Sequence, residues 1–296
     1  MSRSLLFAPA DSAHKLAKAF TSGADAVIVD LEDSVAPSAK SAARANARAF
    51  LAEVADAPER PRIHLRVNAL ESGLIEEDLD CFGAHPPDAV VLPKARGGAD
   101  VQRLAAKLAV REALNGVADG AVAIVAIATE SGAAMFGLST YAGASRRLAG
   151  LTWGAEDLSA DLGAQANRSR DGVLTDPYRL ARALLLYGAA DAGVEAIDAI
   201  YALVGDESGL RAECEAAARD GFVGKLAIHP AQIAVINEVF AVSAQAQERA
   251  RKIVDAFAAS PDKGALQLEG EMIDRPHLTR AERLLRRAAR DRRETT

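Results

Sequence analysis

The sequence predicts an α/β fold, specifically a (β/α)8 TIM barrel with a C-terminal helical extension, on three observations. Short apolar, β-branched runs alternate eight times with longer segments of helical spacing, the pattern of parallel strands joined by helical crossovers. No G-x-G-x-x-G follows the first run and no G-x-x-x-x-G-K-[ST] occurs, so neither common doubly wound nucleotide fold has its phosphate loop. The 296 residues suit such a barrel as a single unit.

The strands are expected at Leu5–Ala8, Ala26–Leu31, Arg62–Val67, Ala89–Leu92, Val122–Ala128, Leu148–Trp153, Ala196–Leu203 and Lys225–Ile228. Helices are expected between and after them at Ala13–Thr21, Ser38–Val54, Ile75–Phe82, Asp100–Leu114, Ser131–Leu138, Pro177–Ala192, Ser208–Arg219 and Ile233–Phe240. Asp11 or Ser12 caps the first helix, and Gly23 follows its end as a left-handed cap would. Asp176 before Pro177 reads as a cap followed by proline at the first helical position, with Gly193 closing that helix. Asn115-Gly116 ends the fourth helix in the same way. The barrel domain is thus residues 1–240. Residues 241–296 form an extension packed on a neighbouring subunit or on the barrel: a helix over Gln245–Ala259, a Pro/Gly-rich loop over Ser260–Gly270, Glu271-Met272-Ile273-Asp274 and a basic helix.

Composition narrows the function. With 35 Lys+Arg against 41 Asp+Glu the chain carries a net charge of −6, a poor match for a nucleic-acid binder. Half of it is hydrophobic, which excludes wholesale disorder. The two cysteines, Cys81 and Cys214, stand far apart and indicate neither a disulfide scaffold nor a cysteine zinc site. The N-terminal apolar run is too short for a signal peptide and no stretch is long enough to span a bilayer, so a cytoplasmic protein with no membrane partner is expected.

In a barrel, chemistry sits at the C-terminal ends of the strands. Those positions hold Asp30-Leu31-Glu32-Asp33, Arg66 and Asn68, Pro93-Lys94, Thr129-Glu130, Trp153-Gly154-Ala155-Glu156-Asp157 and His229-Pro230-Ala231-Gln232. Carboxylates recur there with one arginine, and no serine or cysteine is paired with an obvious base. Such a rim suits a hard divalent cation such as Mg²⁺, while Arg66 could grip a substrate carboxylate with its planar fork. Each residue also has a structural reading. Acidic residues after strands cap helices, Arg66 and Lys94 form ion pairs, and His229 before proline is a hydrogen-bonded strand end. Trp153 is barrel packing, and Arg280, Arg283, Arg286, Arg287, Arg290, Arg292 and Arg293 form a solvated helix face. The case for a site rests on the collection at one rim.

Arg3-Ser4-Leu5-Leu6-Phe7-Ala8-Pro9, Asp30-Leu31-Glu32-Asp33-Ser34-Val35, Arg66-Val67-Asn68, Leu92-Pro93-Lys94, Glu130-Ser131, Gly154-Ala155-Glu156-Asp157-Leu158, Gly224 through Gln232 and Gly270-Glu271-Met272-Ile273-Asp274 resemble, in order, the motifs of the citrate lyase β-subunit-like proteins of the HpcH/HpaI aldolase family. The resemblance spans nearly the whole chain. It implies a homotrimer or hexamer, a Mg²⁺ cofactor, and lyase chemistry joining or splitting an acetyl-CoA-type enolate and a short keto acid. It also implies roles. Glu130 and Asp157 would ligate the metal, and Arg66 would bind the acid's carboxylate. Glu32 and Asp33 would hold metal-bound waters or orient the reacting groups. Asp274 would be the acid/base residue reaching an adjacent subunit's site, in a dry pocket that could raise its pKa, and Lys15 and Lys18 would lie near the CoA moiety. Ser131 stands where threonine is commoner, and Gly188 and Asp191 stand where the family often has alanine and a basic residue.

The first expectation is therefore a Mg²⁺-dependent carbon–carbon lyase on a malyl-CoA or citramalyl-CoA type thioester. Alternatives are the β subunit of a citrate lyase complex acting on a citryl thioester of an acyl carrier protein, and an acyl-CoA thioesterase on the same scaffold. A non-catalytic CoA or RNA binder using the arginine-rich tail is the remaining one.

Overall fold

The computed structural model describes the backbone of residues 2–293 and the side chains of residues 2–289, so Arg290, Arg292 and Arg293 of the arginine-rich run lie outside the described side chains. The chain divides into two compact units, residues 2–240 and the residues from Ala241 onward.

In the first unit eight strands pair in parallel in chain order: β1 (Ser4–Pro9), β2 (Ala26–Asp30), β3 (Arg62–Arg66), β4 (Ala89–Leu92), β5 (Ala123–Ile127), β6 (Leu148–Thr152), β7 (Glu195–Asp198) and β8 (Gly224–Ala227). β8 pairs back onto β1 and closes the barrel. Alternate residues face different cores. Leu5, Ala26, Ile28, Ala89, Val91, Val125, Ile127, Ile197 and Leu226 cluster inside the barrel, while Val27, Val29, Ile63, Leu65 and Val90 pack under the helices. Burial on both faces is why these strands read as continuous apolar runs rather than alternating ones.

The helices are α1 (Ala13–Phe20), α2 (Lys40–Val54), α3 (Ile75–Leu79), α4 (Gly98–Leu114), α5 (Gly132–Gly137), α6 (Ala155–Leu162), α7 (Asp176–Ala192), α8 (Glu207–Asp220) and α9 (Ile233–Val239). Ser12, not Asp11, caps α1 by accepting from the Lys15 N–H. Thr175 is the residue before α7, so Asp176 and Pro177 are its first two helical positions, and left-handed Gly193 ends it. Gly188 lies against the 3₁₀ turn at Leu138–Thr140, where a Cβ would sit 3.2 Å from the Leu138 carbonyl oxygen, so an alanine there would require the turn to give by a few tenths of an ångström.

Three elements differ from the sequence expectation. β7 ends at Asp198 rather than Leu203, because Ala199, Ile200 and Ala202 are apolar as pocket wall, not as strand. α6 occupies a stretch to which the sequence pattern assigns no helix; its eight residues bury only Leu158, too little to leave a periodic pattern. In the second unit, α10 (Ala244–Ala258) is followed by an antiparallel hairpin, β9 (Ala265–Leu268) and β10 (Glu271–Asp274), where a loop was expected, and then by α11 (Arg275–Arg293). That unit has its own core of Ala250, Ile253, Phe257, Ile273 and Ala281. No helix among the described residues is long and apolar enough to cross a membrane.

Between barrel and helices lies a buried polar network. The fully buried Lys225 ammonium donates to Asp198 Oδ2 at 2.9 Å and Glu213 Oε1 at 2.7 Å. Asp198 Oδ1 also accepts from Trp153 Nε1 at 2.8 Å and Arg182 Nε at 3.1 Å. Burial alone would push the Asp198 carboxyl up, but the charges of Lys225 and Arg182 hold it below the usual range. Cys81 and Cys214 are buried free thiols, each pushed up to about 12 chiefly by burial.

His64 sits within the barrel, in register with Ile28 and Ala89, with Nδ1 buried and without a hydrogen-bond partner. Burial lowers its pKa from 6.5 to about 4. The folded state therefore binds fewer protons than the unfolded chain below pH 6.5, so stability falls with acidification across that window. The His64 contribution to the loss between pH 7 and pH 5 is about 2 kcal/mol. Urea denaturation at the two pH values should show His64→Leu flatter by that amount, and an unchanged pH slope would refute the assignment.

Candidate active site

The site is a cavity of about 220 Å³ in the barrel mouth, walled by Phe7, Asp30, Arg66, Glu130, Trp153 and Asp157 among others. Its polar groups arrive on the ends of β2 to β6, because parallel strands all end at one rim.

Asp30, the last residue of β2, is completely buried. Its carboxylate accepts from Arg66 Nε at 2.7 Å and Nη2 at 2.6 Å, and from the Glu32 N–H at 2.9 Å, with Ser34 Oγ also donating. Burial would raise its pKa; the Arg66 pair outweighs that and holds it below the usual range. Arg66 extends from the end of β3, its guanidinium 4.7 Å over the Phe7 ring, with Nη1 2.8 Å from Glu32 Oε2. The structural reading of Arg66 as an ion-pair residue is thus correct. It does not exhaust the side chain, because two of its five N–H groups donate to Asp30 while Nη1 meets Glu32 as an ion pair only, which leaves donors on the terminal nitrogens for a carboxylate.

Glu130 follows β5 and is 6% exposed. Its Oε2 accepts from the Lys94 N–H. Burial, with the Asp157 charge adding to it, pushes its carboxyl up to about 8. Gly154 makes room for it, since a Cβ there would lie 3.0 Å from Glu130 Cγ. Asp157 stands in the first turn of α6, where the helix dipole favours a carboxylate, and its side chain is 34% exposed.

Lys94 links these groups. It follows Pro93 after β4 in the left-handed conformation, φ 54°, a strain of order 1–3 kcal/mol for a residue with a Cβ. Its Nζ lies 2.5 Å from Glu32 Oε1, 2.9 Å from Asp33 Oδ2 and 3.3 Å from Asp157 Oδ1. Burial lowers the ammonium pKa, but hydrogen bonds to Glu32 and Asp33 reverse that and leave it raised. The rim salt bridge inferred from sequence exists; its reach to three carboxylates could not be read there.

Glu130 and Asp157 fit a hard divalent cation. Both are oxygen donors in one mouth, and the buried Glu130 carboxylate needs a counter-charge to ionise at neutral pH. No group of three or more His, Cys, Asp or Glu among the described residues could enclose a metal. Two carboxylates with water and substrate completing the shell is the arrangement Mg²⁺ favours.

The remaining expected residues lie elsewhere. Lys15 and Lys18 are exposed on α1 and do not line the cavity. Asp274 ends β10 in the second unit, half-buried, its Oδ1 2.5 Å from His277 Nδ1. His277, by that hydrogen bond, holds the Asp274 carboxyl below its ordinary range, so within one chain the elevated pKa expected from sequence is not found. His229 caps the turn after β8, Nδ1 accepting from the Ala231 N–H at 3.2 Å, as a strand-end residue should.

The model of the HpcH/HpaI aldolase/citrate lyase family matches residues 3–230, and that of a C–C bond lyase family of the TIM-barrel fold matches residues 179–290. A citrate lyase subunit beta-like protein of Mycobacterium tuberculosis is 37% identical over 284 residues, covering 96% of this chain and 94% of its own. A (3S)-malyl-CoA thioesterase of Cereibacter sphaeroides is 33% identical over 294 residues, covering 97% of this chain and 94% of its own. Protein CitE from M. tuberculosis, solved with magnesium, acetoacetate and coenzyme A, superposes with a TM-score of 0.75 at 35% identity, covering 97% of this chain and 98% of that one.

Removing one member of a buried ion pair leaves the other charge unpaired, at about 3–5 kcal/mol. Asp30→Ala should lose that much stability in urea denaturation at neutral pH. A loss under about 1 kcal/mol, the value of an exposed pair, would show that Asp30 does not anchor Arg66.

Proposed function

This chain belongs to the HpcH/HpaI aldolase/citrate lyase family, and from that premise we propose that it is a cytoplasmic, Mg²⁺-dependent lyase of a short β-hydroxyacyl-CoA, of the malyl-CoA or citramalyl-CoA type, releasing acetyl-CoA and a keto acid. The observation that carries the reading is the mouth itself: two adjacent carboxylates facing an arginine that still has free donors, in one cavity.

Glu130 and Asp157 would hold the metal, and Glu32 and Asp33 its waters. When bound, Mg²⁺ would act as a Lewis acid on the keto acid's oxygens. Arg66 grips the acid's carboxylate and fixes its carbonyl carbon relative to the thioester, and Asp30 keeps the guanidinium in that plane. Cleavage needs a base for the β-hydroxyl proton and leaves an enolate; in the reverse direction the same base takes an α-proton from acetyl-CoA. Asp274 is assigned this role from a neighbouring subunit of a homotrimer or hexamer, on which the second unit packs. Relief of its His277 contact in that setting would free the carboxylate. Lys15 and Lys18, exposed on α1, suit the phosphates of CoA.

The thioesterase reading is favoured by the name of the Cereibacter relative. In it Asp274 activates water instead of a substrate hydroxyl. A citryl thioester on a carrier protein is the third substrate class, consistent with the citrate lyase subunit beta-like relative.

The deciding experiment incubates the protein with malyl-CoA or citramalyl-CoA, with Mg²⁺ or with EDTA, and identifies products by mass spectrometry. Acetyl-CoA with glyoxylate or pyruvate supports the lyase, and free CoA with intact hydroxy acid supports the thioesterase. No turnover of either moves the assignment to a carrier-bound thioester or to another acyl-CoA. Glu130→Ala should fold and lose metal-dependent turnover by more than about 100-fold, a loss beyond that of an outer-shell partner. Full activity in that variant would exclude Glu130 as a ligand. Mixed oligomers of Glu130→Ala and Asp274→Asn chains should regain turnover if the site is shared between subunits, and stay inactive if each chain supplies both residues to its own site.

A further inference from the structure

We propose that the Lys94 ammonium is the resident counter-cation of the carboxylate cluster, and that a divalent cation binds by displacing it from Asp157. The inference rests on the reading of Glu130 and Asp157 as the cation-holding pair.

One residue touches every carboxylate of that cluster. The Lys94 N–H holds Glu130, and its Nζ lies against Glu32 and Asp33 from the loop after β2 and Asp157 from the first turn of α6. The left-handed backbone, φ 54°, sends main chain and side chain to different partners. Arg66, a second cation in the mouth, is paired with Asp30 and Glu32, and Arg168, which also lines the cavity, is paired with Glu213.

The contacts are graded: 2.5 Å to Glu32, 2.9 Å to Asp33 and 3.3 Å to Asp157. Asp157 is therefore the carboxylate the ammonium holds most loosely, and the one free to turn to another cation. Glu32 and Asp33 keep the ammonium close by after the exchange, where its charge opposes the incoming cation. The ammonium thus stabilises the metal-free mouth and weakens metal binding, so the site takes up and releases its cation without collapsing.

The left-handed backbone supplies a clean test. Glycine adopts that conformation without strain, so Lys94→Gly removes the ammonium and keeps the N–H to Glu130. Mn²⁺ binding by electron paramagnetic resonance, Mg²⁺ binding by calorimetry and thermal melting with and without Mg²⁺ would be compared for wild type, Lys94→Gly, Lys94→Met and Lys94→Arg. Loss of a neighbouring positive charge should tighten Mg²⁺ and Mn²⁺ about tenfold in the Gly and Met variants. Their metal-free forms should melt lower than wild type and gain more from Mg²⁺, while Arg keeps wild-type behaviour. Unchanged or weaker metal binding in both uncharged variants, with wild type binding normally, overturns the inference and leaves the proposed function standing. Failure of the wild type to bind either ion overturns both. Lys94→Met preserves the test if the Gly variant does not fold.

Discussion

A carboxylate with no exposure to water, Asp30, organises the mouth of this barrel. Both its oxygens face Arg66, and it also draws in the Glu32 N–H and the Ser34 hydroxyl. A charge buried that deeply is tolerable only with such partners. The requirement propagates outward: the guanidinium is held over the Phe7 ring, Glu32 is brought to its Nη1, and Glu32 in turn receives Lys94. The electrostatics of the rim follow from how one buried charge is satisfied.

A second buried network braces the opposite wall. Lys225, Asp198, Arg182 and Glu213 lie under the helices, and Asp198 fixes the indole of Trp153. Trp153 is followed by Gly154 and then by α6, which carries Asp157. Gly154 is also the position where a Cβ would press on the Glu130 side chain, 3.0 Å from its Cγ. Both carboxylates of the proposed cation pair thus depend on a segment pinned from behind by the indole. Precision at the mouth is built on strands and their immediate exits, as a site that must hold geometry requires.

The barrel strands were legible because burial on both faces leaves a run of apolar, β-branched residues that little else produces. Where the cause of apolarity changed, the reading failed: Ala199–Ala202 wall a cavity and extended the seventh strand too far. The hairpin of β9 and β10 escaped notice because only Ile273 of its eight strand residues is buried and Pro261, Gly264 and Gly270 flank its strands. At the site, residue types after strands pointed to Arg66, Glu130 and Asp157. The partners did not show, because Lys94 meets Glu32 across 62 positions and no local pattern records such a meeting. The His277 contact with Asp274 spans only three residues, yet a lone histidine looks the same in sequence with or without it.

The two cysteines bear on acyl chemistry in an unexpected way. Thioesters exchange with thiolates, so a protein holding one beside its own reactive cysteine would acylate itself. Cys81 and Cys214 are the chain's only cysteines, both are buried, and burial raises both thiols to about 12. At neutral pH roughly one thiol in a hundred thousand is ionised. An activated acyl group resting at the barrel mouth would therefore meet no nucleophilic sulfur belonging to its host, and its fate would be left to the carboxylates around it.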